Sequence, residues 1–415
     1  MIKIEKIIPG GQALGQMEDG KKILFWNALP GEIVTEYNIT KQKSHYCEAI
    51  ATSVINQSDK RITPKDDCFL STSPWQIIDW DYENDLKTDL IVEIFREHGI
   101  IIDKPNNFSD NQEYFYRNKM EYALYWDQQT SKIQLAFRHR GSHKKLPIFK
   151  SSIERPEIFA AAQNIIDELN QKHEEARKYQ TLLLRSNQKG EVSGGLYENH
   201  QPHPKFKNLS DEILGYHYSY SPNGFFQINL PVYELALKEI KKIIKTDEVL
   251  DLYAGVGTIG LSVARDRKLT LVEVDKFAFE ELNKNVINII HAENIKRVPS
   301  WHEQKEPPVK TGERLGSQSE LINTVLSKSE EALDYIKQNQ TVILDPPRSG
   351  CDDKLIEKLN TVKPTIIIYL SCNPSTQARD VKKLLGNYEI KDIKTFNFFP
   401  RTPHIENLVI LNKSC

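Results

Sequence analysis

Cysteine is scarce in this chain: Cys47, Cys68, Cys351, Cys372 and Cys415 are spread over 415 residues, and no two form a Cys-x-x-Cys pair. That spacing excludes a disulfide scaffold and argues against a cysteine-ligated zinc or iron–sulfur site. Long apolar runs are also missing. None approaches the roughly 18 residues of a membrane helix, so no membrane partner is expected, and mean hydropathy is −0.52. The amino terminus, MIKIEKIIPGG, has no continuous apolar stretch, so no secretory signal is expected. A reducing cytoplasm is the expected location. A net charge of −2 decides nothing about polyanionic partners, because a basic face can sit inside a neutral total. What the chain has is length. Its 415 residues, 39% hydrophobic and 27% charged, are material for two or three domains.

Residues 1–57 read as short strands and turns. MIKIEKI and GEIVTEYNI alternate in the β manner, and Asp19-Gly20 marks a hairpin, which together suggest a small β-barrel. Residues 58–75, polar and carrying Pro64 and Pro74, read as a linker. Residues 76–205 mix a helix with a long hairpin, an α+β region in which YRNKMEYALYW and KIQLAFRHR alternate on either side of DQQTS. From Lys132 to Arg155 there are seven Lys/Arg against one acid, Glu154. With Arg117 and Lys119 of YRNK, the Arg138, Arg140, Lys144 and Lys145 of this stretch are nominees for contacts to a polyanion; a solvated basic face is the plainer alternative. From 206 to 415 short apolar strands (VLDLYAG, LTLVEVD, TVILDPP, TIIIYLS) alternate with helices, the pattern of an α/β domain with a parallel sheet. Residues 300–320, polar with two prolines, read as a surface insertion.

Four segments of this last region carry chemistry. In LDLYAGVGTIGL, Gly255, Gly257 and Gly260 form a turn between strand and helix that lets a ligand approach the backbone. Glu273 ends the next strand, where an acid can accept from ribose hydroxyls. The same glycines match G-x-G-x-x-G, so a nicotinamide dinucleotide is the rival ligand. LDPPRSG places Asp345 beyond a third strand, and its two prolines remove N–H donors, leaving carbonyls and a carboxylate to face a polar group. The dehydrogenase reading has no use for it. LSCNPSTQARD puts Cys372 past a fourth strand and beside a helix start, whose N–H groups favour a thiolate. HIE supplies Glu406, which reads either as a solvated carboxylate or, at the mouth of the same cleft, as a general base. In SPNGFFQIN, Phe225 and Phe226 read either as core or as a platform for an RNA base, with Gln227 beside them.

In this order the motifs resemble the bacterial RNA uracil-C5 methyltransferases, the S-adenosylmethionine-dependent family that makes 5-methyluridine. The resemblance spans nearly the whole chain: a TRAM-like (OB-like) barrel with DGKKILFWNALPGE, a central region with YRNK, then FFQIN, DLYAGVGTIGL, DPPRSG, LSCNPSTQARD and HIE. It implies a Rossmann-like class I methyltransferase domain with a mostly parallel seven-stranded sheet. It also implies S-adenosylmethionine as methyl donor and a monomeric enzyme acting on RNA. Ribosomal RNA (23S, hence rRNA processing) is favoured over transfer RNA, and an RNA-binding protein without catalysis is the alternative of another class. Gln227, Tyr253, Glu273 and Asp345 fall on donor-holding positions, with Gly255 and Gly257 in the turn. Thr258 stands where many members have Asn. Cys372 falls on the nucleophile and Glu406 on the base, and Asp345 is expected to help orient the reactants. Phe225 is assigned to the RNA. Many relatives of the ribosomal branch carry a four-cysteine iron–sulfur motif where this chain reads DDCFLSTSPWQIIDWDYE. One cysteine cannot hold a cluster, so none is expected, and Trp75 and Trp80 are expected to pack in its stead.

Overall fold

The computed structural model describes residues 1–198, 201–203, 206–297 and 321–414. The expected insertion at 300–320 and Cys415 lie outside them. The chain forms two compact units, Met1–Lys207 with Lys394–Glu406, and Asn208–Ile393 with Asn407–Cys415.

The first unit begins as a closed barrel of β1 (Ile2–Ile7), β2 (Ala13–Gln16), β3 (Lys22–Trp26), β4 (Ile33–Gln42) and β5 (Tyr46–Ile55), ordered β1-β2-β3-β5-β4. Alternation closes it: Ile2, Ile4 and Ile7 are buried while Lys3 and Glu5 are exposed. Residues 58–75, expected as a linker, are instead folded. Arg61 forks onto the buried Glu32 at 2.6 and 2.7 Å. Burial opposes that carboxylate's charge, but Arg61 and the Ser58 and Leu29 N–H groups outweigh it and hold the pKa low. A helical turn, α1 (Phe69–Thr72), follows, and Trp75 is 2% exposed with its indole N–H on the Gly11 carbonyl at 3.0 Å.

The DDCFLSTSPWQ stretch holds a buried polar knot. Gln76 donates to Asp66 (3.0 Å) and Ser73 (2.7 Å), and Asp66 also accepts from the Ser152 N–H at 2.9 Å. Trp75 does pack here. Trp80 instead lies under the Arg401 guanidinium, 5.2 Å from its ring centre.

Next come α2 (Trp80–Glu97), capped by Asp79, the short β6 (Asn106–Phe108), and a six-stranded antiparallel sheet. The sheet contains β7 (Lys119–Asp127), β8 (Lys132–Arg138), β9 (Lys145–Pro147), β10 (Thr181–Ser186), β11 (Val192–Glu198) and β12 (Gln201–His203), in the order β12-β11-β10-β7-β8-β9. Helix α3 (Pro156–Gln171) packs on β8, β10 and β11, turning Ile158, Ala162, Ile166 and Leu169 inward. The face with Tyr122, Leu124, Leu135, Leu182 and Leu184 is fully buried. Register puts Lys119 opposite Arg185 and Glu121 opposite Leu183 on the other face.

Residues 394–406 return to this unit, which the strand–helix rhythm of the sequence does not announce. Buried charge holds them. Glu83 accepts from the Arg401 N–H at 2.9 Å and pairs with Lys87 at 2.9 Å, and Lys87 reaches Asn397 at 2.7 Å.

The second unit opens with a hairpin, β13 (Leu209–Ile213) and β14 (Tyr216–Tyr220), then helix α4 (Leu230–Ile243). Its sheet contains β15 (Glu248–Leu252), β16 (Lys268–Glu273), β17 (Ile322–Leu326), β18 (Gln340–Leu344), β19 (Ile366–Ser371), β20 (Tyr388–Phe396) and β21 (Glu406–Lys413). The order is β17-β16-β15-β18-β19-β21-β20, parallel from β17 to β19, with β21 antiparallel to β19. The seven expected strands are there, mostly parallel, and an eighth, β6, pairs parallel to β20 at the edge, so the sheet is eight-stranded. Helices α5 (Thr258–Ala264), α6 (Lys276–Arg297), α7 (Asp353–Val362) and α8 (Pro374–Leu384) connect the strands. Every residue of β18 and β19 is buried, which explains their apolar runs, Val342–Leu344 and Ile366–Leu370. Each fully buried Leu or Ile there contributes about 1.5–3 kcal/mol.

Candidate active site

Parallel pairing brings the carboxyl ends of four strands to one edge. Leu252 lies beside both Val272 and Leu344, and Leu344 beside Tyr369. Tyr253, Glu273, Asp345 and, three residues past Tyr369, Cys372 therefore share the edge where open α/β sheets take ligands.

The three glycines of the first turn have three different reasons. Gly255 has φ +57°, and a Cβ there would meet nothing within 4 Å, so its surface is open to a ligand. Gly257 (φ +88°) would press a Cβ to 2.4 Å from Leu282, a packing constraint. A Cβ on Gly260 would meet Asp251 at 2.8 Å, because its N–H donates to that carboxylate. Tyr253 holds φ +65°, a strained backbone for a bulky residue at the mouth of the turn.

Three carboxylates surround this turn. Asp251 is fully buried, and desolvation followed by the nearby charges of Asp345 and Glu273 pushes it up to about 8 despite the Gly260 N–H. Asp345 keeps a partly exposed edge, yet its depth among the strand ends pushes it up to about 7. Glu273 accepts N–H groups from Gly255 (2.7 Å), Val274 (2.9 Å) and Asp275 (2.6 Å). Of its roughly four acceptor sites, the backbone takes three, so its service to a ribose is narrower than the sequence suggests. Thr258 is committed too, its hydroxyl bonded to the Tyr233 hydroxyl at 2.9 Å.

The Asp345–Cys351 loop is clamped by α8. Asn373 donates to the Arg348 carbonyl at 2.7 Å, Arg379 to Ser349 at 3.0 Å, and Asp380 accepts from the Cys351 N–H at 2.8 Å. Gln377 binds the carbonyls of Tyr369 (2.8 Å) and Asn407 (3.0 Å). Most of LSCNPSTQARD is thus a brace for the loops on both sides of Cys372. Sequence reasoning grouped these side chains with the thiol and missed that role; the dense polar run that opens an amphipathic helix was the available signal. The two thiols here differ. Cys351 is buried and pushed up to about 12, whereas Cys372 is half-buried at the edge. Antiparallel pairing sets Ser371 opposite Asn407; Cys372 follows the one and Glu406 precedes the other. Glu406 is 4% exposed.

Ahead of α4, Phe226 stacks on Tyr220 with centroids 3.8 Å apart and is core, while Phe225 is 76% exposed. Gln227 is buried, as is Asn229, whose amide has no hydrogen-bond partner. Asn229 went unnoticed in the sequence because nothing in its spacing distinguishes it from a helix cap.

The basic nominees of the first unit divide. Arg140 donates to the Leu70 carbonyl and covers the Trp26 ring at 4.3 Å, and Lys145 donates to the Leu124 carbonyl at 2.6 Å. Lys144 is exposed on the turn after β8. Arg117, Lys119 and Arg138 line one cavity. Among the described residues, no group of three or more His, Cys, Asp or Glu is placed to hold a metal ion. Cys68 is buried, its thiol pushed up to about 12 first by burial and then by Asp66. No helix of the described residues is long and apolar enough to cross a membrane.

Comparison with known proteins bears on these features. An uncharacterized RNA methyltransferase of Enterococcus faecalis is 26% identical over 473 residues, covering 100% of this chain and 97% of that protein. A tRNA (uracil(54)-C(5))-methyltransferase of Pyrococcus horikoshii is 33% identical over 220 residues, 52% of this chain and 45% of its own. The crystal structure of the Pyrococcus abyssi tRNA (uracil-54, C5)-methyltransferase with S-adenosyl-L-homocysteine superposes with a TM-score of 0.70. It is 23% identical and covers 99% of this chain and 100% of that one, a likeness of fold. Where these names specify an RNA it is transfer RNA, against the ribosomal RNA and rRNA-processing expectation. The model of the tRNA (uracil-5-)-methyltransferase family matches residues 207–414, half of the chain. That span runs from the hairpin before the glycine turn to the strand after Glu406, so this chain belongs to that family and is an RNA (uracil-5-)-methyltransferase.

Proposed function

We propose that this enzyme methylates C5 of a uridine in transfer RNA through a covalent intermediate on Cys372, with Glu406 as general base. The observation that carries the reading is the β19–β21 register. It pairs Ser371 with Asn407, the neighbours of a half-buried thiol and a buried carboxylate. The naming of transfer RNA in the relatives supports the substrate.

S-adenosylmethionine supplies the methyl group and leaves as S-adenosylhomocysteine. The residues present fit it: open space over Gly255, the remaining acceptor site of Glu273, and an Asp251 oxygen buried without a partner. Tyr253, Gln227 and Asp345 complete the proposed holding set, and Gly257 and Thr258 support it through packing.

The chain's own groups do the rest. The Cys372 thiolate adds to uracil C6, forming a C–S bond and moving the C5–C6 π electrons onto C5 and the C4 oxygen, so C5 becomes nucleophilic. Once C5 carries the methyl, the Glu406 carboxylate takes the C5 proton. The electrons left behind re-form the C5–C6 bond and expel the thiolate. Asp345, raised toward neutrality, offers a proton or a lone pair beside the reacting atoms. Phe225, exposed ahead of α4, is the proposed stacking surface for a base. The target must leave its stack, at about a few kcal/mol. Mapping 5-methyluridine in total RNA with and without this protein tests the reading. A lost methyl in transfer RNA is expected; a loss confined to 23S ribosomal RNA overturns the substrate, and no loss anywhere overturns the function.

A further inference from the structure

The cavity lined by Arg117, Lys119 and Arg138 measures about 700 Å³ and lies on the sheet face opposite the buried leucines. Its charge is one-sided. Arg117 precedes β7, Lys119 opens it, Arg138 ends β8, and Arg185 of β10 stands opposite Lys119 in the register; Glu121 is the acid on the lining. The Ser71 and Thr72 hydroxyls add donors from the helical turn. Burial, then Arg185 and Arg117, push the Lys119 amine down to about 8 in spite of Glu121. Arg117 is held in place by its own Nε–H bond to the Lys119 carbonyl at 3.0 Å. Cations fixed this close, with hydroxyl donors and one carboxylate, suit an anion with several acceptor oxygens. The volume exceeds what a bare phosphate fills and admits a nucleotide.

We propose that this cleft is a binding site for one phosphodiester, with its nucleotide, of the RNA substrate. The identity of the polyanion rests on the methyltransferase reading above; the site itself rests on the cleft. It assigns Arg117, Lys119 and Arg138 to the RNA and leaves Arg140 and Lys145 as structural cations.

The experiment measures binding of a transfer-RNA transcript to the full chain and to Arg138→Ala, Lys119→Met and the double variant over a range of salt. Each lost phosphate contact lowers the slope of log K against log salt by about 0.7–0.9. The double variant is expected to bind about tenfold or more weakly near physiological salt, with a shallower slope and unchanged S-adenosylmethionine binding. An unchanged slope in Arg138→Ala overturns the proposal, and that variant, exposed at a strand end, keeps the test valid if Lys119→Met fails to fold. Uridine 5′-monophosphate is the second probe: Arg138-dependent binding of the monophosphate with unaltered transcript binding overturns the assignment to RNA. A wild-type protein that binds the transcript but does not methylate it removes the function proposed above without touching the slope result.

Discussion

The two units keep their polar groups in opposite ways. In the second, the groups around the glycine turn meet neighbours close in sequence: Gly255 and Glu273 are 18 residues apart, Gly260 and Asp251 nine. In the first, the buried ionic groups meet across most of the chain, Arg401 to Glu83 over 318 residues and Lys87 to Asn397 over 310. Local pairs of this kind leave groups at an edge, available to a ligand. The distant ones turn toward each other and fix residues 394–406 in place.

Substitutions can break that contrast, and the largest effect belongs to the thiol. Cys372→Ala should lower methyl transfer by ~10⁴-fold or more, as loss of a nucleophile does, while equilibrium binding of S-adenosylmethionine is retained. Substantial single-turnover transfer by that variant would remove covalent catalysis.

Arg401→Met comes next. It leaves Glu83 short of a partner in a buried site, a loss of about 3–5 kcal/mol, read as a lower unfolding temperature. Replacing Glu83 by Gln in the same chain should deepen the loss, because the buried Lys87 then loses its carboxylate. An unfolding temperature unchanged by that second substitution would mean that Glu83 and Lys87 do not stabilise the cluster.

Gly255→Ala is smaller. A side chain at φ +57° costs about 1–2 kcal/mol and intrudes on the open surface. S-adenosylmethionine should bind about tenfold more weakly, and unaltered affinity would show that the donor does not approach the turn.

The mildest effect is on pH. Asp251 and Asp345 are raised on folding, to about 8 and about 7. Their contribution is therefore fully present below the unfolded value near 4 and is lost as pH rises through 7 and 8. Asp251→Asn should flatten the decline of unfolding temperature between pH 5 and 9. A variant whose decline matches wild type would show that Asp251 does not titrate there.

The same difference in contact range decides what could be read from the sequence. The α/β domain, its glycine turn, Asp345 and Cys372 were legible because each strand–turn–helix unit signals its own end. The linker reading of 58–75 failed because prolines and polar residues look alike whether solvated or, like Asp66 and Gln76, bonded to each other in the interior. Arg401 reads as a surface cation until Glu83 is seen beside it. Among the six basic nominees, composition could not separate Lys145, spent on a carbonyl, from Lys119, held among like charges.

The central claim is covalent catalysis in which Glu406 acts after the methyl has moved. Glu406→Gln should then transfer the methyl and stall before elimination, leaving RNA attached to Cys372. The direct measurement is a denaturing gel of this variant with labelled transfer RNA and S-adenosylmethionine. The account predicts a retarded, protein-linked band that carries the methyl group and is absent when Cys372 is also Ala. Turnover near the wild-type rate with no such band would contradict it.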